Sequence, residues 1–314
     1  MDNSRHPAVT DFRTFSQSAD STPPILIPRT SPATFPRVPR LFSFLLCLLP
    51  APIAFSASAT AAPVFTVDPI LAKPFAQRKL QGVFVAYQPA TDRWLTNDSA
   101  RSQEKFLPAS TFKIPNSLIA LECGAIASID EILAWDRNDR GSPAWNRDQS
   151  MRDAFRASTV WFYQELARRT GGQRMSQWLH KIYYGNADIS GGIDRFWLTG
   201  SLRISAVQQI AFLRSLRDDA LPFRTETMRA VKEIMIRDRR DDWTLRAKTG
   251  LTSTTVDHPV GWHVGWIETP KGPVYFATNL DAKTDREVIR ARIAITYENL
   301  VHLGALPSGT TPPP

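Results

Sequence analysis

The sequence lacks the motifs by which many enzymes hold metals and nucleotides. It contains no His-Glu-x-x-His, no paired Cys-x-x-Cys, no phosphate-binding loop, no dinucleotide glycine fingerprint and no Gly-x-Ser-x-Gly elbow. None of its five histidines is in a recognisable triad setting. We therefore expect no metal and no bound cofactor, and a serine nucleophile in this chain needs a base other than histidine.

The composition also lacks the features of a nucleic-acid-binding protein. The net charge is +8 and the pI is about 9.7, but lysines and arginines are scattered among aspartates and glutamates without a basic stripe. Hydrophobic residues make up 43% and charged residues 22% of 314 residues, which is typical of a globular chain that buries a sizeable core. We expect no nucleic-acid partner, and a mildly basic surface suits small anionic substrates.

The N-terminal segment has the pattern of an export signal. Arg37 and Arg40 precede the apolar run Leu41–Leu49, and two Ala-x-Ala sites follow at 57–59 and 59–61. The run is short and is followed by prolines, which argues against a permanent membrane anchor. We expect residues 1–61 to be removed and the mature protein to be exported to the periplasm.

Cysteine is scarce, with only Cys47 and Cys123 in the chain. Cys47 falls within the predicted signal, so only Cys123 would remain in the mature protein. A single cysteine forms no internal disulfide, and the exported fold must rest on core packing. Cys123 itself is interpreted as a core residue, not as a nucleophile.

Strand patterns occupy both ends of the mature chain, and helical patterns occupy its middle. A hairpin is predicted over 82–96, and Ser205 with Gln208 has the spacing of a helix capping box. Helices are predicted at 110–121, 158–169, 175–183, from 205 and at 286–300, and strands at 245–249, 261–268 and 274–280. The fold class is therefore α/β of the α+β type, with an antiparallel sheet built from both chain ends and an inserted helical lobe.

This order also gives the expected domain boundaries. A sheet-containing lobe comprises residues 62–109 and 232–306, a helical lobe comprises 110–231, and 307–314 form a disordered tail. The cleft between the two lobes is the expected active site.

Ser110 and Lys113 form the first candidate catalytic pair. Positions three apart share a helix face, so a neutral Lys113 amine can accept the proton of the Ser110 hydroxyl. Burial beside Phe112 would lower the pKa of the lysine. This pattern also occurs in helices where the lysine is simply exposed, so by itself it leaves both interpretations open.

A second pattern, Lys248-Thr249-Gly250, lies on a predicted strand in the C-terminal third. Such a strand presents a cation, a hydroxyl and bare backbone to an anionic substrate, and glycine permits close approach. Together with Ser110 and Lys113, this favours a serine enzyme that binds small anions.

With these motifs the chain resembles the serine β-lactamases and penicillin-binding proteins, and within them the class D, or oxacillinase, family. Class A members carry Ser-Asp-Asn where this chain has Ser158-Thr159-Val160. The resemblance spans roughly Gly82 to Leu300. Its motifs, in the family's order, are Ser110-Thr111-Phe112-Lys113 with 114–116, Ser158-Thr159-Val160, Tyr184-Gly185-Asn186, 190–198, Lys248-Thr249-Gly250 and 261–266.

The resemblance implies a mechanism in which Ser110 is acylated by the substrate. Lys113 would react with CO2 to form a carbamate, the general base for acylation and deacylation, in an apolar pocket of Phe112, Val160 and Leu198. Trp197 would hold the carbamate through its indole N–H, whereas the alternative is an ordinary core aromatic. No other cofactor is implied.

The remaining roles also follow from the resemblance. Ser158 would relay a proton to the departing nitrogen, although a serine near a helix start is often a cap. The oxyanion hole would be the backbone N–H groups of Ser110 and Leu251. The substrate carboxylate would be bound by Lys248, Thr249, Gly250 and Arg286, which is favoured over Arg290 and Arg292, while Tyr184 with Asn186 would shape the pocket or make a turn.

The expected function is hydrolysis of the β-lactam amide of penicillin-type antibiotics by a monomer or homodimer. The alternative is a penicillin-binding sensor or a transpeptidase-like protein that acylates but deacylates slowly. A sensor is a binding module tethered to membrane spans, which this chain lacks once the predicted signal is removed. A purely structural protein is a third alternative, and it would require four motifs to occur in the family's order by chance.

Overall fold

A computed structural model of the chain describes residues 63–253, 255–282 and 285–312, with only the backbone of 285–287. The predicted export signal and the last two residues of the predicted tail lie outside the described residues. Within the described ranges, no helix is both long enough and apolar enough to span a bilayer.

A seven-stranded sheet takes strands from both ends of the chain, as the sequence predicts. Its strand order is β1-β3-β2-β11-β10-β9-β8, and every neighbouring pair is antiparallel except β1 with β3. This confirms the predicted fold class. The strands are β1 Phe65–Val67, β2 Gly82–Gln88, β3 Arg93–Thr96, β8 Ile236–Arg239, β9 Thr244–Leu251, β10 Val260–Thr269 and β11 Gly272–Asp281.

Helices fill the middle of the chain and return at its C-terminal end. Two further two-stranded ladders pair β4 (Lys105–Phe106) with β7 (Ile204–Ser205) and β5 (Ile132–Leu133) with β6 (Gln149–Ser150). The predicted boundary between a sheet lobe and a helical lobe stays a prediction. The elements are β4 Lys105–Phe106, β5 Ile132–Leu133, β6 Gln149–Ser150 and β7 Ile204–Ser205, with helices α1 Lys73–Gln77, α2 Lys113–Glu122, α3 Met151–Ala157, α4 Val160–Thr170, α5 Gly172–Lys181, α6 Ala206–Arg217, α7 Thr225–Ile234 and α8 Asp285–His302.

Both faces of the central strands are covered by hydrophobic side chains. On β2, Val83 and Val85 join a cluster with the middle helices, while Phe84 and Ala86 join a second cluster with α8. Side chains alternate across a strand, so one run of apolar residues supplies both cores. This explains why β10 reads as a nearly continuous apolar segment.

Several local predictions hold at the level of hydrogen bonds. The Ser205 hydroxyl accepts from the Gln208 N–H at 3.2 Å, and the Gln208 side chain accepts from the Ser205 N–H at 3.1 Å, which completes the capping box. Gly124 ends α2 with a φ of +67°, a conformation that glycine adopts without steric penalty.

Two predicted helix starts are wrong. Ala109–Phe112 form a 3-10 turn, and α2 begins only at Lys113. Ser158 has a φ of 57° and ends α3, so α4 begins two residues later at Val160. The spacing of apolar residues does not reveal either feature, because a 3-10 turn and a single left-handed residue leave that spacing almost unchanged.

Candidate active site

The turn that carries Ser110 is fixed from both sides. The Trp262 indole donates to the carbonyl of Leu107 at 2.9 Å, and the Ala109 N–H donates to the carbonyl of Trp197 at 3.0 Å. Ala109 has a φ of +47°, which an L-residue adopts only at a cost of about 1–3 kcal/mol. This strained turn leaves Ser110 half-buried, with part of its surface open to solvent.

Ser110 and Lys113 meet as the sequence predicts. In a 3-10 turn, residues three apart lie almost directly above one another. Accordingly, Nζ of Lys113 lies 2.9 Å from Oγ of Ser110. Lys113 is fully buried, and this desolvation lowers its pKa to about 7. Near neutral pH a large fraction of the amine is therefore uncharged and able to accept a proton.

Tyr163 and Ser117, which the sequence did not single out, surround this lysine. Nζ of Lys113 is 5.2 Å from the centroid of the Tyr163 ring. The Ser117 hydroxyl donates to the carbonyl of Lys113 at 2.8 Å and lies 3.0 Å from the Tyr163 hydroxyl. Ser117 lies one helical turn after Lys113, but the sequence carries no signal for the partner on α4.

An aromatic group packs behind the same pair. Phe112 stacks on Trp197 with centroids 5.1 Å apart and ring planes 25° apart, and it meets Tyr184 edge-on at 5.9 Å. Trp197 is fully buried, and within the described part of the chain its indole N–H has no hydrogen-bond acceptor. A buried donor of this kind suits a negatively charged group attached to the lysine.

Tyr184 does not reach the surface of the site. It is fully buried, and burial raises its phenol pKa above the usual range. The neighbouring Asn186 donates from its side chain to the Ser201 carbonyl, and its N–H bonds the Arg203 carbonyl. Of the two roles considered for this motif, shaping the pocket or making a turn, the hydrogen bonds of Asn186 fit a turn that supports the aromatic group.

A second serine–lysine pair lies across the site. Nζ of Lys248 donates to Oγ of Ser158 and to the carbonyl of Thr249, both at 2.9 Å. The left-handed backbone at Ser158 turns its hydroxyl away from α3 and toward β9. The pKa of Lys248 is lowered well below its usual value by burial first, and then by the charges of Lys113, Arg237 and Arg292.

Gly250 lets β9 lie directly against the Ser110 turn. A Cβ at this position would stand 2.9 Å from the carbonyl oxygen of Pro108 and 3.1 Å from Cγ2 of Thr111. Only glycine fits this approach without a shift of backbone. The next residue, Leu251, is thereby held beside the Ser110 turn.

One arginine of α8, Arg292, lies beside this strand. Arg292 is buried and donates from its guanidinium to the carbonyl of Gly250 at 2.5 Å. Arg290 is exposed, and the side chain of Arg286 lies outside the described residues. Among the α8 side chains that the structure describes, Arg292 is therefore the arginine that lies against the Lys248 strand.

Val160 and Leu198, the other residues predicted to line the lysine pocket, are both half-buried. Leu198 packs against the core cluster that contains Phe112 and Trp197, while Val160 is the first residue of α4. Among the described residues, no group of histidine, cysteine, aspartate and glutamate side chains is arranged to hold a metal ion.

Fold and site together are those of the penicillin-recognising proteins. The family model described as the penicillin-binding protein transpeptidase domain matches residues 79–298. The chain is 44% identical to β-lactamase OXA-48 of Klebsiella pneumoniae over 226 residues, which are 72% of this chain and 84% of that protein. It is 43% identical to β-lactamase OXA-2 of Salmonella typhimurium over 237 residues, 75% of this chain and 84% of that one.

A solved structure agrees with these relatives. The crystal structure of the class D β-lactamase YbXI from Nostoc superposes with a TM-score of 0.73 at 42% identity, covering 77% of this chain and all of that one. The chain belongs to the class D β-lactamases, a family of hydrolases that act on cyclic amides.

Proposed function

We propose that this protein hydrolyses the β-lactam amide of penicillin-type antibiotics through an acyl-enzyme on Ser110. The observation that carries the proposal is the 2.9 Å contact between Ser110 and a fully buried Lys113 whose pKa is about 7. In acylation, Oγ of Ser110 bonds the lactam carbonyl carbon, its proton passes to the base, and the C–N bond breaks. Water then hydrolyses the ester and frees Ser110.

The base is Lys113 modified by CO2. The neutral amine forms an N–C bond with CO2 and releases one proton, and the resulting carbamate supplies a carboxylate-like oxygen as general base. The buried indole N–H of Trp197 fits this group because it lacks an acceptor among the described residues. Trp197 also stacks on Phe112, which fixes the direction of its N–H bond.

The remaining groups position the substrate and move protons. Ser158 relays a proton to the departing nitrogen: its hydroxyl proton passes to the nitrogen, and the Lys248 ammonium that donates a hydrogen bond to Ser158 replaces it. The backbone N–H groups of Ser110 and Leu251 stabilise the oxyanion, where one donor contributes roughly 3 kcal/mol. Lys248, Thr249 and Arg292 bind the substrate carboxylate, so Arg292 replaces Arg286 in the proposed set.

We also propose that the mature protein is exported to the periplasm. The charged, apolar and small-residue regions before residue 62 support it. In that compartment a β-lactamase meets its substrate before the substrate reaches the cell-wall enzymes.

The test is a time course of intact-protein mass spectra after stoichiometric benzylpenicillin. Wild-type protein should clear the penicilloyl adduct within the mixing time. Trp197→Phe keeps an aromatic ring but removes the N–H donor, so deacylation should slow by at least about tenfold and the adduct should accumulate.

Trp178→Phe is the matched control, because Trp178 stacks on Phe223 in another part of the fold. It should clear the adduct as fast as wild type. A wild-type adduct that persists for hours would instead identify the slowly deacylating sensor.

A further inference from the structure

Two arginines lie beside the Ser158–Lys248 pair without a role in the proposed reaction. Arg156 is in the last turn of α3, two residues before Ser158, and Arg237 is on β8. Both are exposed. Neither side chain forms a salt bridge with any carboxylate that the structure describes.

An ion pair one helical turn before Arg156 shows that α3 lies beside the end of α7, which leads into β8. Arg152 of α3 bonds Glu233 near the end of α7 at 2.7 Å. Arg156 is four residues after Arg152, and Arg237 is four residues after Glu233. Both arginines therefore lie beyond this bridge, at the C-terminal end of α3, where Ser158 contacts Lys248.

The backbone of β8 is irregular at Arg237. The register between β8 and β9 shifts between Ile236 and Asp238, so Arg237 is the extra residue of a β-bulge. Bulges re-aim a side chain next to active sites. The neighbouring carboxylate, Asp238, is 3.6 Å from Arg240 and does not neutralise Arg237.

The electrostatics agree with this placement. Desolvation by surrounding protein lowers the pKa of Arg237, and the charge of Arg156 lowers it further. Arg237 in turn lowers the pKa of both Lys248 and His263. Like charges held together in this way leave a positive potential that a bound anion relieves.

We propose that Arg156 and Arg237 form a second anion subsite at the mouth of the active site, beyond Lys248. Resting on the proposed function, it takes a second acidic group on the substrate. That group lies on the ring side, next to the departing nitrogen, because Ser158 and Lys248 act there. The preferred substrates are dianionic β-lactams whose additional acid extends from the ring, as in a C3 side chain of a cephalosporin.

Two cephalosporins provide a matched pair of probes. Cefonicid and cefamandole share the acyl side chain, and they differ in a sulfomethyl or a methyl group on the C3 tetrazole. Competition with nitrocefin gives an inhibition constant for each drug even where its own turnover is slow. Wild-type protein should prefer cefonicid, and this preference should shrink as ionic strength rises.

Arg156→Gln and Arg237→Gln should each reduce the preference for cefonicid about threefold, and the double variant about tenfold. Arg239→Gln is the control, since it removes the same charge from the same strand but its electrostatic neighbour is Arg246. It should leave the preference unchanged. Nitrocefin turnover should persist in all variants, and its absence from wild-type protein would count against the proposed function instead.

A second pair tests where the subsite lies. Carbenicillin differs from benzylpenicillin by a carboxylate on the acyl side, away from the ring. The variants should leave this ratio unchanged. If they alter both ratios equally, the arginines act only by general attraction and the subsite does not exist; an unaltered cefonicid preference would overturn it as well.

Discussion

At the residue scale, Lys113 shows how a group proposed for catalysis destabilises the fold that holds it. The amine has a pKa of about 7 when buried, against about 10.5 in the unfolded chain. Between these values the unfolded state binds more protons, so stability rises with pH through this window. Below pH 7 the free energy of unfolding is reduced by the full cost of burying a charged amine, since both the folded and the unfolded chain then carry the proton.

The same pKa predicts a pH dependence of activity that bicarbonate corrects. At pH 6 most of the amine is protonated and cannot react with CO2, so the rate without bicarbonate should be about tenfold below that at pH 8. Added bicarbonate should restore several-fold of the loss at pH 6. The measurement is initial nitrocefin turnover, with sodium chloride at equal ionic strength as the control. Identical rates in both salts at every pH would contradict a carboxylated lysine.

Arg292 gives a second prediction at this scale. Arg292→Ala should raise the KM for benzylpenicillin by about tenfold or more and lower kcat less, because the proposed carboxylate contact is remote from the reacting carbonyl. Arg292→Lys keeps the positive charge but not the guanidinium group that contacts Gly250, so it should reverse only part of the rise in KM. Arg290→Ala is the control and should behave like wild type. A larger KM effect from Arg286→Ala would reinstate the sequence-based choice.

At the scale of elements, the site is made where secondary structures end or change type. Ser110, the proposed nucleophile, is on a 3-10 turn ahead of α2, and Ser158 is the left-handed residue between α3 and α4. Lys248 and Gly250 come from β9, which is held in register by β10. Such junctions free a hydroxyl from the helix surface while packed elements on both sides fix its position.

The packing of β9 against the Ser110 turn predicts the effect of one methyl group. Gly250→Ala should displace the strand from Pro108, reduce kcat about 10- to 100-fold and destabilise the fold by about 1–3 kcal/mol. Gly172→Ala is the control, because a Cβ there meets only a side-chain methyl of Ile189 at 3.8 Å. Steady-state kinetics and thermal melting check both variants. Unchanged kcat in Gly250→Ala would show that the oxyanion site tolerates this shift.

At the scale of the whole molecule, the helical middle of the chain and the sheet share one hydrophobic cluster. Val264 and Trp266 of β10 pack in the same cluster as Leu118 of α2 and Phe212 of α6. The opposite face of the sheet is covered by α8, including Ile295. Because the two serine–lysine pairs draw on helices and sheet alike, this shared core also holds them at fixed distances.

The sequence by itself determined the local features of the protein. The spacing of Ser110 and Lys113, the glycine of the Lys248 strand, the 82–96 hairpin and the Ser205 cap depend on neighbours a few residues apart. Alternating strands and periodic helices also predicted the antiparallel sheet built from both chain ends. The local features involve residues close in sequence, so residue type and spacing suffice to predict them. The sheet joins distant segments and was predicted from the order of strand and helix patterns along the chain.

Only the tertiary structure decided what depends on distant segments. It buried Lys113 beside Tyr163, enclosed the Trp197 N–H, removed Tyr184 from the surface and brought Arg292 to Gly250. It also gave Ser158 its left-handed turn. Desolvation creates the altered pKa values, and a long-range contact joins Arg292 to Gly250. Neither is encoded in the spacing of nearby residues.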